Sequence, residues 1–373
     1  MKIAYFILNC FDYDSRARLE VESLGKCGYD VEIVATVGAN SKEYLGFPIY
    51  RIAQWRWPSR KTRFIQYNLA ASKIGQRIKA DIYHAVDLDV LQAAVRAADK
   101  TGGRVVYESR ELYTELESLN GRTLVRNFWQ ELETRLIGRA TRIITINDSI
   151  ALELSRRYGV ERPVVIRNVA RLPLALEPVD LHVKFDIPSN WKIVIYQGVL
   201  RGGQGLIYLL DIIHLLNNVA LIFIGGGHLD GDLKALVHAL GISNKVRFAG
   251  IMPPDSLANN TAGADAGVLL MEGVALNNRL ALPQKLFQYL ACGIPQIVSP
   301  MPEIAKFVKT ENSGLVVPLD HAEDAAELIS TFLCDSTKLD TVRRNCIESA
   351  RRNNWDEEST KLRELYKSLE QSQ

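Results

Sequence analysis

A chain of 373 residues with 47% hydrophobic and 24% charged side chains has an ordinary soluble globular composition, and its length suggests two or three domains. A formal net charge of +2 argues against a general nucleic-acid-binding surface and leaves only local basic patches. The cysteines Cys10, Cys27, Cys292, Cys334 and Cys346 are scattered without a C-x-x-C pair, which argues against a zinc or dithiol site and favours a reducing compartment.

The N-terminus, MKIAYFILNC, has one lysine and then a short apolar run with no small-residue cleavage site, far shorter than a membrane span. It reads as the first strand of a folded, cytoplasmic protein. The β-branched or aromatic runs KIAYFIL, VEIVAT, DIYHAV, RVVYES and RIITIN follow in order, separated by segments of helical spacing, and VVIRNV closes the first half. Such alternation predicts a parallel sheet with crossover helices. The segment RLPLALEPVDLHVKFDIPSNW, residues 171 to 191, is interrupted by prolines and keeps no helical period, so a domain boundary is expected there. A second series repeats the pattern: KIVIYQG, ALIFIGGG, KVRFAG, AGVLLM, PQIVSP and SGLVVP, with helices such as GLIYLLDIIHLLNN and DGDLKALVHALG between them. NNWDEESTKLRELYKSLEQ is a charged helix with Trp355, Leu362, Leu365, Tyr366 and Leu369 on roughly one face. The expected class is α/β, with two doubly wound Rossmann-like domains, 1–172 and 173–354, facing a cleft and able to close on a ligand. Helix 355–373 is expected to pack back on the first domain.

In open parallel sheets ligands bind beyond the carboxyl ends of the strands. After KIVIYQ comes GVLRGGQG, residues 198 to 205, leading into a helix. Its glycines would let backbone approach a phosphate, and the helix start offers free N–H groups; a plain strand-to-helix turn uses the same residues. GGGH, residues 225 to 228, has the same two readings. EGVALNNRLALPQK carries Asn277, Asn278, Arg279 and Lys285 just before the helix that holds Gln288. One side of the second domain is thus laid out for an anion and sugar hydroxyls.

NNRLALPQKLFQYLACGIPQIVS resembles the donor-binding segment of glycosyltransferase family 4, where a pattern close to N-x-x-x-x-L-P-N-K-L-F-E-Y-x-A-x-G-x-P-V-V recurs. DSRARLEVESLGKCGYDVEIVA resembles the opening D-x-R-x-x-x-E-x-x-x-L-x-x-x-G-x-x-V segment of that family, and YESRELYTE its Y-D-S-H-E-L-x-x-E segment. The resemblance spans nearly the whole chain. It implies the GT-B fold, an N-terminal acceptor domain and a C-terminal donor domain. It also implies retaining, metal-independent transfer of a sugar from a nucleoside diphosphate sugar to a hydroxyl, in polysaccharide, glycolipid or other glycan assembly. No cofactor beyond that co-substrate is implied.

Carried over residue by residue, the resemblance assigns donor binding to Gly198, Gly203, Gln204, Gly226, Asn278, Pro283, Leu286 and Gln288. Arg201 and Lys285 become the cations on the leaving diphosphate, and Arg110 a third catalytic candidate. Asp14, Arg16, His84 and Glu111 become acceptor or cleft residues. Six departures stand out. Gln288 replaces the ribose-binding glutamate, Leu280 an acid eight residues earlier, Gln204 a basic residue, and Val199 a frequent arginine, while Glu108 and Arg110 replace an Asp and a His. A rebuilt donor site and a site without turnover both fit them. A non-catalytic partner or binding subunit is therefore the alternative, with a different cleft enzyme such as an epimerase or phosphorylase third.

Several residues have plainer readings as well. Asp87 and Asp89 mimic a metal-binding D-x-D but are expected to cap a helix and bond its loop. His84 lines a cleft or packs at a strand end, and Asp14 with Arg16 touches the cleft or forms an ordinary helix start with a surface arginine. Glu111 and Glu115, four apart on a helix face, orient an acceptor or are solvated. Cys292 is expected in the core. His182, His214, His228, His238 and His321 have no metal spacing, so no metal is expected. The stretch from Trp55 to Arg63 interleaves tryptophan with basic residues and suits peripheral contact with anionic headgroups at the inner face of a membrane, as for a lipid-linked acceptor. An exposed basic loop is its plain reading, and nucleic acid is disfavoured by the balanced charge.

Overall fold

The computed structural model describes residues 1–38, 41–53 and 60–371, the side chains of 60–63, 254 and 255 apart. The tryptophans of the Trp55 to Arg63 segment lie outside this description. Tertiary contacts divide the chain into two units, Met1–Asn168 with Asp356–Gln373, and Val169–Trp355.

The first unit is built on β1 (Lys2–Phe6), β2 (Asp30–Thr36), β3 (Glu43–Tyr44), β4 (Phe47–Ile52), β5 (Ile82–Val86), β6 (Arg104–Ser109), β7 (Arg142–Thr145) and β8 (Val164–Val165). They lie in the order β3-β4-β2-β1-β5-β6-β7-β8, parallel throughout except β3 against β4. Residues such as Ile3, Val34 and Val106 are fully buried, as expected for strands covered on both faces by crossover helices. The helix Leu88–Thr101 buries a run of small residues, Ala93, Ala94, Ala97 and Ala98, and stops at Gly102, whose φ of 80° closes it with a bond to the Ala98 carbonyl. The hairpin β3–β4 was not legible in the sequence: Leu45 and Gly46 turn at φ 53° and 84°, but Leu-Gly lacks the usual Asn-Gly signal. The C-terminal helix Trp355–Gln371 belongs largely to this unit, with Leu362 and Tyr366 fully buried and Tyr366 Oη 2.6 Å from His84 Nδ1.

The second unit carries β9 (Lys192–Gln197), β10 (Val219–Ile224), β11 (Val246–Gly250), β12 (Ala266–Leu269), β13 (Gln296–Val298) and β14 (Gly314–Val316). All pair in parallel, in the order β11-β10-β9-β12-β13-β14. Its core joins Ile193 and Ile195 of β9 to Ile222 of β10, Tyr289 and Cys292. The segment expected to lack helix contains a single turn, Leu181–Phe185, started by Asp180 accepting from the Val183 N–H and anchored by buried Leu181. One turn is too short for its period to show in sequence. Strand order reverses between β1 and β5 in one unit and between β9 and β12 in the other, and such switch points are where loops diverge to admit ligands. Among the described residues, no helix is long and apolar enough to cross a membrane.

Candidate functional site

The loops that leave β9 and β12 meet at the switch point of the second unit. The Glu272 N–H donates to the Gly203 carbonyl at 3.1 Å, and a Cβ on Gly205 would stand 2.1 Å from the Leu270 carbonyl oxygen. Lys285, in the first turn of the helix Gln284–Ala291, reaches back to β9. Its Nζ donates to Tyr196 Oη at 2.7 Å and to Gln204 Oε1 at 2.9 Å, and lies 4.3 Å from the centre of the Tyr196 ring. Gly198 leaves the space for it: at φ 132° a side chain is strained, and a Cβ would sit 2.5 Å from Lys285 Cε.

Burial, and after it the Arg201 guanidinium, pushes the Lys285 ammonium down to about 7. Its polar contacts, Tyr196 and Gln204, are neutral, and Arg201 is exposed. A desolvated cation without a counter-charge is what an incoming anion relieves. Gln204, standing where a basic residue was expected, is 4% exposed and acts as the acceptor that holds Lys285.

Gln288 belongs to a second chain of bonds. Thr261 Oγ1 donates to Gln197 Oε1 at 2.7 Å, and Gln197 Nε2 donates to Gln288 Oε1 at 2.6 Å. The three line a pocket of about 500 Å³ walled on one side by residues 170–175. With its oxygen bonded internally, Gln288 has its NH₂ group left to offer, so it presents a donor where a carboxylate would present acceptors.

The switch point of the first unit is filled with charge. Arg16 Nε lies 2.6 Å from Glu108 and 2.9 Å from Glu20, and Arg110 reaches Asp14 at 2.8 Å and Glu108 at 3.2 Å. Arg110 also donates to Tyr5 Oη, which donates to Glu20. His84, fully buried, stacks on Tyr5 with ring centres 4.6 Å apart and places Nε2 3.2 Å from Glu108. Burial raises the Glu20 carboxyl to about 8, helped by neighbouring Glu108; burial also works to raise Glu108, but the arginines outweigh it and hold it well below the usual range. Burial lowers the His84 pKa. Glu20, His84 and Glu108 bring three potential ligand atoms within 4.8 Å of one another, yet the two guanidinium groups already neutralise Glu108 and Glu20 keeps its proton up to about 8, which disfavours a further cation.

Several expectations are corrected here. Arg16 is 2% exposed, so it is no surface arginine; Asp14 caps its helix by accepting from Ala17. Arg110 is engaged by the carboxylates of Asp14 and Glu108. Asp87 caps nothing with its side chain; it accepts from the Arg110 N–H at 2.9 Å. Glu111 and Glu115 do not share an α-helix, since Glu115 closes the short turn Tyr113–Glu115 and pairs with Arg126 and Arg157. Leu286 is fully buried, its N–H bonded to the Pro283 carbonyl and its own carbonyl accepting from Gln296. Gly226 accepts from the Leu200 N–H, Pro283 precedes the helix of Lys285, and Asn278 is nearly buried in the short helix Leu276–Leu280.

The sequence reading missed Tyr196, Gln197, Thr261 and Glu20. Only Glu20 had a usable signal, its four-residue spacing from Arg16.

Comparison with known proteins agrees with this architecture. Residues 14–169 match the family described as glycosyl transferase 4-like domain, and residues 180–353 match glycosyl transferases group 1. The chain belongs to the glycosyltransferases that join these two domains in the GT-B fold. It is similar to chitobiosyldiphosphodolichol beta-mannosyltransferase of Candida albicans, 22% identical over 61% of this chain and 53% of that one, so it spans about half the length of this curated relative. The fold is shared with sucrose-phosphate synthase from Thermosynechococcus elongatus (TM-score 0.85, 17% identity, 100% of both chains). It is also shared with Anabaena HepE in complex with UDP and glucose (TM-score 0.77, 16% identity, 99% of this chain and 100% of that one).

Proposed function

We propose that the protein transfers a sugar, with retention of configuration, from a nucleoside diphosphate donor held at the β9–β12 switch point to a hydroxyl acceptor bound by the first unit. The observation that carries this reading is Lys285, an enclosed ammonium with neutral partners beside Gly198 and Arg201. As the diphosphate leaves, negative charge grows on its oxygens. Lys285 and exposed Arg201 are the cations available to stabilise it. Gln288 donates to an oxygen of the nucleoside instead of accepting from ribose hydroxyls. The HepE complexes with UDP and UDP-glucose support a donor of that class, and the diphosphodolichol in the name of the Candida relative supports a lipid-linked acceptor.

A panel of nucleoside diphosphates and their sugars, read by thermal stability and then by diphosphate release, tests the reading. A ligand at one hundred times its dissociation constant adds about 2.7 kcal/mol. Stabilisation and release that vanish in Lys285→Ala and weaken in Arg201→Ala are expected. Stabilisation without release from any donor, with acceptors of several classes present, would favour the non-catalytic subunit, a reading that rests on the neutral Gln204 and Gln288.

A further inference from the structure

The first unit contains a pocket of about 560 Å³ that the charged cluster does not reach. Leu8, Thr36, Ile52 and Asp89 bring the carboxyl ends of β1, β2, β4 and β5 to its wall, and the helix Thr123–Leu136 covers the other side. That helix exposes apolar residues at the pocket itself. Leu124 and Phe128, one turn apart, both line the pocket, yet they are 85% and 50% exposed. Ile65, 55% exposed, joins them at the mouth. Farther in, Phe64 packs edge-on against Phe128 and Trp129, with ring centres 6.0 and 4.9 Å away.

Among the described lining residues only Asp89 and Arg122 are charged. Asp89 accepts from Tyr113 Oη at 3.3 Å, and burial pushes its carboxyl up to about 7. A carboxyl in such surroundings is suited to hydrogen-bond a neutral hydroxyl. The apolar row Leu124, Phe128 and Ile65 continues from pocket to surface, which suits a chain better than a compact sugar: a sugar held by the polar lining would leave that row uncovered. Arg122, exposed at the same mouth, disfavours a cationic amphiphile.

Resting on the transferase reading above, we propose that this pocket seats a hydrocarbon chain of the acceptor, acyl or isoprenyl, with Asp89 hydrogen-bonded to a hydroxyl of the group that bears the chain.

Methyl, hexyl and decyl β-D-glucosides, titrated calorimetrically into the full chain below micelle-forming concentrations, test this without any nucleotide. Affinity should rise about three- to fourfold per added methylene. Leu124→Glu, at an exposed position where folding is not at stake, should flatten that dependence, and Val125→Trp should do so by filling the pocket. Asp89→Asn should weaken decyl glucoside while preserving the dependence on chain length. Affinity independent of chain length, or a dependence unchanged in both pocket variants, overturns the proposal. The two readings fail separately. Chain binding without diphosphate release from any donor leaves the pocket and removes the transferase; release that serves methyl and decyl glucosides equally removes the pocket alone.

Discussion

The two units share one topology and treat their switch points in opposite ways. In the first, two arginines, two glutamates and Asp14 pair with one another within the protein. In the second, a single lysine is enclosed among neutral groups, with Gln204 and Gln288 standing where charged residues were expected. Charge that is matched internally fixes structure, whereas charge left unmatched at a loop junction marks where a ligand completes the site.

The largest effect should come from breaking the matched cluster. Glu108→Ala removes the carboxylate that the part-buried Arg110 and buried Arg16 share and should cost about 3–5 kcal/mol in urea unfolding. Glu20 gives the internal contrast. Its folded pKa of about 8 lies above the ordinary 4.5, so between these values the folded state keeps a proton that the unfolded state has lost, and stability falls as pH rises through that window. Glu20→Gln should therefore be mild near pH 6 and should remove this part of the pH dependence, as followed by unfolding at several pH values.

In the second unit, Lys285→Met should weaken UDP binding by about 1.5–3 kcal/mol, the scale of a hydrogen bond to a charged group. The same variant should be more stable than the parent below pH 7. The folded pKa of about 7 is lower than the ordinary 10.5, so the burial cost is fully present below 7 and is relieved as pH rises toward 10.5. Paired melting curves at pH 6 and pH 9 would show the gap closing. The smallest effect is expected from Gln288→Glu. A carboxylate there can accept from Gln197 and from a ribose hydroxyl together, and should tighten UDP by roughly 1 kcal/mol in the same titration.

The alternation of strands and helices was legible because parallel strands covered on both faces read as short apolar runs. The switch-point loops were legible because Gly198 and Lys285 lie next to recognisable strand and helix ends. Less could be read of how charges are used. Arg16 resembles any helix-start arginine until β6 brings Glu108 within 2.6 Å of it, 92 residues away in sequence. Arg110 fits an anion site equally well on paper, and only the neighbouring carboxylates show that it is spoken for. Tyr196 looks like one more strand aromatic, and the pocket around Asp89 depends on separate strand ends meeting residues of three helices. Long-range pairing of this kind has no periodicity to betray it.

We propose Lys285 as the unmatched cation of a diphosphate site. UDP affinity measured by calorimetry from pH 6 to pH 9, on the parent and on Lys285→Met, tests it most directly. Bound diphosphate raises the lysine pKa above its free value of about 7, so binding takes up a proton at higher pH. Affinity should fall by up to about tenfold per pH unit above 7 in the parent, with a flat profile in the variant. Equal affinities with the same pH profile in both proteins would contradict it.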